Sequence, residues 1–204
     1  MLVAELTLPA PPDQVWRHLR EPALISRWFG WNYEGLGHEI DVIFLQEARV
    51  DDRGHVLEWG EGMQEGDRIA LEDLGVETCL RITRGAPAEG YDDIAEGWIT
   101  FAQQLRYALE RGGRAQRRTL HLTAPAAAPG AAALAADLPG APWYRTEHQA
   151  GIVTQDGLLA VWEKPPAGSA TMTLSSFGGD VDEAAWGAWW SEHVAGDAGH
   201  QQDP

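Results

Sequence analysis

Cysteine is nearly absent from this sequence, because Cys79 is the only one in 204 residues. A single thiol excludes an internal disulfide and the paired cysteines that hold structural zinc or an iron–sulfur cluster. Apolar runs are short, and none approaches the roughly 18 residues that a membrane-spanning helix needs. The N-terminal residues also lack the basic flank and long apolar stretch of a signal peptide. These features predict a cytoplasmic protein that does not insert into a membrane.

Positive charge is scarce as well. The 31 acidic residues outnumber 15 lysines and arginines, which gives a formal net charge of −16. This balance opposes the attraction to phosphates on which nucleic-acid binding depends, so we expect no nucleic-acid partner. One basic run lies where a helix is predicted to end, and it comprises Arg111, Arg114, Arg117 and Arg118. We interpret these arginines as surface residues of a connector rather than as a binding site.

Recognisable catalytic and metal-binding motifs are missing too. The seven histidines include no pair four residues apart beside a carboxylate, which a zinc protease requires. A nucleophile elbow, a phosphate-binding loop and a dinucleotide fingerprint are also absent from the sequence. We therefore predict no catalytic residue, no metal ligand and no cofactor.

The N-terminal half contains short elements separated by proline and glycine. The β-prone stretch from Leu2 to Leu8 predicts a first strand, and two short helices are predicted to start at Pro12 and near Pro22. From about residue 38, the alternation of Ile40, Val42 and Phe44 with the intervening residues predicts another strand, which leads to a hairpin turn at 51–54. Further antiparallel strands are predicted at Val56–Trp59, Arg68–Leu71 and Val76–Thr83.

The strongest helical pattern in the chain follows Gly85 and Pro87. Apolar residues recur there at alternating steps of three and four over about six turns. Acidic residues at the beginning and arginines at the end suit the helix dipole, and a pair of glycines at 112–113 ends the pattern. The apolar stripe consists of Tyr91, Ile94, Trp98, Phe101, Leu105 and Ala108.

The remaining residues predict a second, smaller α+β segment. A strand at Thr119–Thr123 precedes an alanine- and proline-rich stretch at 124–142, which is either a loose connector or contains a short helix over 131–136. A final helix is predicted from near Asp182. Between these lie three predicted strands, at Trp143–Thr154, Leu158–Glu163 and Ala170–Ser176.

Two features of the first half are echoed in the second. A strand that runs into proline occurs at 6–10 and again at 122–126, an offset of 116, whereas the two late helix stripes open at Trp98 and Trp186, an offset of only 88. A second copy that has lost two or three strands would explain both offsets, and chance similarity is the alternative. We accordingly divide the chain into a domain at 1–112, a connector at 113–117, a truncated repeat or α+β extension at 118–195 and a flexible tail at 196–204.

The order of strand, two short helices, several antiparallel strands and long helix resembles that of the START-like (SRPBCC, birch-pollen-allergen-like) superfamily. Residues 11–19, Pro-Pro-Asp-Gln-Val-Trp-Arg-His-Leu, together with Arg27-Trp28-Phe29 and the late Gly97-Trp98, resemble the branch related to activators of the heat-shock-protein-90 ATPase. The resemblance covers about residues 1–112. It implies an α+β helix-grip fold, in which a curved antiparallel sheet wraps around a long C-terminal helix, followed here by the smaller α+β segment.

The same resemblance implies a hydrophobic cavity between the sheet and the long helix, since members of the superfamily bind lipids or aromatic compounds, act as cyclases or assist chaperones. We predict that this chain binds a small hydrophobic molecule there and has no defined catalytic activity. The candidate cavity-lining residues lie on the predicted strands and on the long helix; they are Val42, Phe44, Trp59, Leu80, Ile82, Trp98, Phe101 and Leu105.

Two other functions stay open. A cyclase or dehydratase would need an acid or base inside the cavity, for which Tyr91, Arg81 and His18 are candidates. A chaperone-associated or self-associating module, such as a homodimer, would use a face formed by tryptophans 189 and 190. Ten tryptophans are present, and six of them are hard to bury together, so some of these could line a pocket or a partner surface; the six are Trp31, Trp59, Trp143, Trp162, Trp189 and Trp190.

Overall fold

The computed structural model describes residues 1–60, 65–113, 115–128, 130 and 138–195. The chain divides into two compact units, Met1–Arg117 and Arg118–Pro204, which we call the first and the second unit. Each unit contains a five-stranded antiparallel sheet, so the structure belongs to the mixed α+β class that the sequence predicts. No helix among the described residues is long and apolar enough to span a bilayer.

The first strand and the first two helices of the first unit lie where the sequence predicts them. Helices start at Pro12 and Pro22, where proline suits the first helical position because its missing N–H has no intrahelical partner there. The strands pair in the order β1-β5-β4-β3-β2. The elements are β1 (Leu2–Leu8), α1 (Pro12–Arg20), α2 (Pro22–Ile25), α3 (Leu36–Ile40), a π-helical segment (Asp41–Glu47), β2 (Ala48–Asp51), β3 (Val56–Trp59), β4 (Arg68–Asp73), β5 (Thr78–Thr83) and α4 (Asp93–Glu110).

The predicted strand from residue 38 is wrong, because α3 and the π-helical segment occupy its place. Ile40 and Phe44 are both buried there, at 2% and 0% exposure. They are four residues apart, which places them on one face of a helix as well as on one face of a strand. The alternation therefore did not discriminate between the two structures. Burial of two apolar residues was predicted, but the wrong backbone was assigned to them.

The turn predicted at 51–54 is confirmed and joins β2 to β3. The Asp51 carboxylate accepts the backbone N–H groups of Arg53 at 3.1 Å and Gly54 at 3.0 Å. A side-chain acceptor of this kind satisfies turn donors that the sheet leaves unpaired. The hairpin consequently keeps the register in which Asp51 faces Val56.

A buried ion network fixes the loop that precedes α4. Arg84 donates to Asp67 at 2.8 Å and to Asp92 at 3.1 Å, and the three side chains are less than a tenth exposed. Asp92 also caps α4, since it accepts the N–H of Ala95 at 3.0 Å. Burial alone would raise the pKa of Asp92, but the N–H groups of Ala95 and Ala88, together with Arg84, outweigh burial and lower it. The helix start is thus tied to strand β4.

The second unit has the strand order β6-β10-β9-β8-β7. Its core contains Met172, Leu174 and Trp190, which are at most 5% exposed. The predicted final helix is confirmed, whereas a helix over 131–136 and the tail at 196–204 lie outside the described residues. The elements are β6 (Arg117–Pro125), β7 (Ala141–Arg145), β8 (Gln149–Val153), β9 (Leu159–Glu163), β10 (Ser169–Phe177) and α5 (Glu183–Ala195).

Two predictions for the second unit are wrong. The segment predicted as one strand, Trp143–Thr154, is a hairpin of β7 and β8, whose turn is closed by hydrogen bonds between Thr146 and Gln149. This turn lacks the glycine or proline that would have marked it in the sequence. The supposed loss of two or three strands is also wrong, because the described residues form five strands in each unit.

Candidate functional site

The structure gathers most of the predicted cavity-lining residues into the core of the first unit. Six of the eight are at most 2% exposed and belong to one apolar cluster, and Phe101 is half-buried against that cluster. Val42 is half-buried on the π-helical segment rather than on a strand. The six fully buried residues are Phe44, Trp59, Leu80, Ile82, Trp98 and Leu105.

Aromatic rings in this cluster pack directly on one another. Trp98 lies 5.6 Å from Trp59 and 6.1 Å from Phe44, measured between ring centroids. Phe29 lies 5.0 Å from Phe44 and 4.7 Å from Phe101. Separations of 4.5–7 Å are those of rings in contact, so these faces are engaged with each other. Phe101 stands at the edge of this aromatic group.

A pocket of about 230 Å³ opens beside Phe101. Its other lining residues come from the connection between β1 and β2: Gly30, Trp31, Tyr33 and Glu39. Trp31 is 40% exposed and Tyr33 is 46% exposed, while their ring centroids lie 6.3 Å apart. Sequence reasoning named Phe101 and Trp31 as lining candidates but missed Tyr33 and Glu39. Nothing in the spacing of these two residues distinguishes them from ordinary loop residues.

Two glycines in the connection that lines the pocket lie close to neighbouring side chains. Gly30 has a positive φ of 61°, and a Cβ there would lie 2.9 Å from a Leu36 methyl carbon. A Cβ at Gly35 would lie 2.5 Å from the ring of Tyr33. Gly30 therefore requires glycine for its conformation, whereas a side chain at Gly35 would have to displace the Tyr33 ring that lies against the backbone.

Tyr33 and Glu39 form a hydrogen-bonded pair in the pocket. The tyrosine hydroxyl donates to Glu39 Oε2 at 2.5 Å. This bond to the carboxylate raises the pKa of Tyr33 to about 12. The phenol consequently stays protonated at neutral pH, and its hydrogen bond holds the Glu39 carboxylate beside the aromatic ring.

Arg117 is buried and is hydrogen-bonded to the backbone that leads into the pocket. This contradicts its interpretation as part of a basic run on the surface of a connector. Arg117 is 2% exposed, and its guanidinium donates to the backbone carbonyls of Trp28 at 3.1 Å, Phe29 at 2.6 Å and Gly30 at 2.7 Å, and also to the side chain of Gln104. Burial lowers the pKa of Arg117 to about 9. The guanidinium thereby fixes the backbone that leads into the pocket. The sequence does not separate Arg117 from the other arginines of the run, so its role was not predictable.

The residues considered for acid–base chemistry do not line this pocket. Arg81 pairs with Glu5 and Glu72 on the sheet surface, at 2.5 and 2.6 Å. His18 is buried, with Nδ1 at 2.9 Å from the Gln14 carbonyl. His18 borders a separate open cleft of about 870 Å³, together with Arg17, Arg27 and Arg111. The described residues contain no cluster of three groups that could hold a metal ion.

The tryptophan face considered for self-association is largely internal. Trp190 is only 5% exposed and donates its indole N–H to the Thr123 carbonyl at 3.3 Å. Trp189 is half-buried, stacks on His193 at 4.1 Å and packs against the core of the second unit. The prediction that both rings form a surface is therefore wrong, because α5 uses them to cover its own sheet.

Comparison with known proteins identifies no family. No family model and no curated protein matches the chain. Among solved structures, DynU16, a protein in the dynemicin biosynthetic locus, is similar over 94% of this chain and 95% of its own, with 16% identity and a TM-score of 0.38. The di-domain ARO/CYC StfQ from the steffimycin biosynthetic pathway is similar over 94% and 96%, with 9% identity and a TM-score of 0.39. Neither likeness is close enough to support an argument, and no comparison supports the branch of heat-shock-protein-90 ATPase activators.

Proposed function

We propose that the first unit is a helix-grip module that binds a small, mainly apolar molecule in the pocket of Trp31, Tyr33 and Phe101. The observation that carries this proposal is the convergence of three aromatic side chains on one concave site, next to an aromatic core. Concave sites with apolar walls and few polar groups are the usual places for small ligands.

The order and pairing of the elements support the helix-grip assignment. The strand order β1-β5-β4-β3-β2 places the first strand beside the last, and the short helices lie between β1 and β2 in the chain. Helix α4 follows the last strand and packs on β1 through the apolar stripe that includes Trp98 and Leu105. The order of these elements along the chain agrees with the order that the superfamily resemblance implies, which supports the proposal. The equal strand order of the second unit supports its origin as a second copy.

The size of the pocket limits what it encloses. About 230 Å³ is smaller than the roughly 300–1,000 Å³ of sites that bury a drug-sized molecule. The predicted cavity deeper in the core is occupied by the mutual packing of Phe44, Trp59 and Trp98. We therefore place the ligand at the edge of the aromatic core, with Phe101 as the shared wall, and assign it a single ring or a branched head group.

Binding can be tested with three neutral probes, phenol, indole and 3,3-dimethyl-1-butanol, and with one positively charged probe, choline. Saturation-transfer NMR and titration calorimetry on the full chain would measure binding to the natural sequence and to Trp31→Ala. We expect at least one probe to bind and to weaken about tenfold or more in Trp31→Ala, because that substitution removes one wall. Leu45→Ala is the control, since Leu45 is equally exposed at 40% but does not line the pocket. Absence of binding by every probe, or equal binding to Trp31→Ala, would contradict the proposal.

A further inference from the structure

The lining of the pocket combines aromatic rings with one acidic group. Trp31, Tyr33 and Phe101 supply the rings, Glu39 supplies a carboxylate, and the remaining lining residue is a glycine. Among the described residues, no arginine, lysine or histidine belongs to this lining. From this composition we propose that the pocket binds the ammonium head group of a small molecule, either quaternary or a protonated tertiary amine. The inference rests on the proposed function and names the ligand class for the same site.

Aromatic faces attract cations because each ring carries negative charge density above and below its plane. Cages of two or three such rings are a recurring way to bind methylated ammonium groups, whose methyl surface also avoids water against the rings. The Trp31 and Tyr33 rings contact each other, with centroids 6.3 Å apart and planes inclined by 42°, so they form adjacent walls that one head group can touch. Phe101 adds a third apolar wall from α4.

Glu39 supplies the formal charge that complements a cation. Its Oε2 accepts the Tyr33 hydroxyl, and within the described ranges no basic side chain forms an ion pair with it. A neutral apolar ligand would gain little from a carboxylate in the wall and would partly desolvate it. An ammonium head group offsets that cost by ionic attraction across the pocket.

The surroundings of the pocket are also compatible with a positive ligand. Arg117 is not among the described lining residues, and its N–H groups donate to the backbone carbonyls of Trp28, Phe29 and Gly30. Those carbonyl dipoles offset part of its charge. The formal net charge of −16 makes the average field around the protein attractive to cations. The positive φ of Gly30 and the Tyr33–Glu39 hydrogen bond constrain the backbone and one side chain of the lining.

An isosteric pair separates charge from shape. Choline and 3,3-dimethyl-1-butanol share the same branched outline, but only choline carries a positive charge. Titration calorimetry and saturation-transfer NMR would compare both probes on the full chain and on two variants. Glu39→Gln removes the charge and keeps an acceptor for the Tyr33 hydroxyl, whereas Glu34→Gln removes an exposed carboxylate that does not line the pocket.

We expect choline to bind at least tenfold more tightly than the neutral alcohol. Its affinity should fall about tenfold in Glu39→Gln and less than twofold in Glu34→Gln. The affinity of the alcohol should stay the same or rise in Glu39→Gln, because the desolvation cost of the carboxylate is removed, and should not change in Glu34→Gln. Equal binding of both probes would overturn the ammonium inference and leave the proposed function standing. An unchanged affinity of choline in Glu39→Gln would overturn it as well. Absence of binding by either of these probes and by the neutral aromatic probes would overturn both.

Discussion

The two units share a strand order but differ in the connection between their first two strands. In the first unit residues 9–47 join β1 to β2 and contain α1, α2, α3 and the π-helical segment. In the second unit residues 126–140 join β6 to β7. Four of the five lining residues that the structure describes come from the longer connection. The strand order and the helix after the last strand are common to both units. The candidate binding site of the first unit therefore depends on the longer connection after its first strand.

The N-termini of α4 and α5, the helices that follow the last strand of each unit, also differ. Asp92 and Asp182 occupy the same position, since each accepts the N–H group three residues ahead, at 3.0 and 2.9 Å. Asp92 is buried and belongs to the Arg84–Asp67 network, whereas Asp182 is exposed. The same cap thus serves two purposes. In the first unit it anchors the helix to the sheet, and in the second unit it satisfies only the helix terminus.

The largest expected effect tests the difference between the two N-cap residues, Asp92 and Asp182. We expect Asp92→Ala to destabilise the first unit by about 3 kcal/mol, because Arg84 loses a partner and buried N–H groups lose their acceptor. We expect Asp182→Ala to cost about 1 kcal/mol, the usual value of an N-cap. Urea unfolding of each full-length variant, with hydrogen exchange of peptides from 93–110 and 183–195, would measure both effects and locate them.

The two cap variants serve as controls for each other. Faster exchange should be confined to α4 in Asp92→Ala and to α5 in Asp182→Ala. Similar losses of unfolding free energy in the two variants would show that the buried network adds nothing to the cap, and the contrast between the two helix starts would then fail.

A second expected effect concerns buried indole groups. Trp59 donates its N–H to the Ile43 carbonyl at 2.8 Å, whereas the N–H of Trp162 has no acceptor within hydrogen-bonding distance in the described part of the chain. Substitution by phenylalanine shortens either ring, but only Trp59→Phe breaks a hydrogen bond. We expect Trp59→Phe to cost about 1–2 kcal/mol more than Trp162→Phe. Urea unfolding monitored by far-ultraviolet circular dichroism would compare them, and a larger cost for Trp162→Phe would contradict the expectation.

Sequence patterns predicted the elements whose signals are local and redundant. The helix starts at Pro12 and Pro22 follow from the fixed φ of proline. Helix α4 follows from the apolar stripe and from the acidic residues at its beginning, although Tyr91, the first residue of the predicted stripe, precedes the helix. The turn at 146–148 was missed because it is built from residues that also occur in strands. Residues 38–47 were misassigned because Ile40 and Phe44 fit both periods.

The candidate site was less predictable, because it depends on contacts between residues far apart in the chain. Phe101 was found from the helix stripe, and Trp31 from the excess of tryptophan. Arg117 reaches carbonyls that lie 87 to 89 residues away, and no sequence period encodes such a contact. If the second unit is a second copy, the difference between the two offsets lies mainly in its shorter first connection rather than in missing strands.

Acid should affect the two units in different pH ranges. In the first unit the pKa of Asp92 is lowered, so the stability that its ionised form provides is lost only as the pH falls below its ordinary value of 3.8. Asp67 pairs with the same arginine, but burial raises its pKa, so its protonation is favoured by folding and offsets part of that loss. From these two groups, the first unit should lose no stability between pH 7 and pH 5, since the protonation of Asp67 can only add to it and Asp92 stays ionised there.

The smallest expected effect is a pH dependence of the second unit near neutrality. His121 on β6 lies with Nδ1 at 2.9 Å from the Thr173 hydroxyl on β10, and burial lowers the pKa of His121 from its ordinary value of 6.5. Since the unfolded chain binds the proton more readily, the unfolding free energy should fall as the pH drops through about 6.5 and level off below the folded pKa. His121→Gln keeps a polar group facing Thr173 and does not titrate. Urea unfolding between pH 7.5 and 5 should show a loss in the natural sequence that this variant lacks, and parallel curves would exclude His121 as the cause.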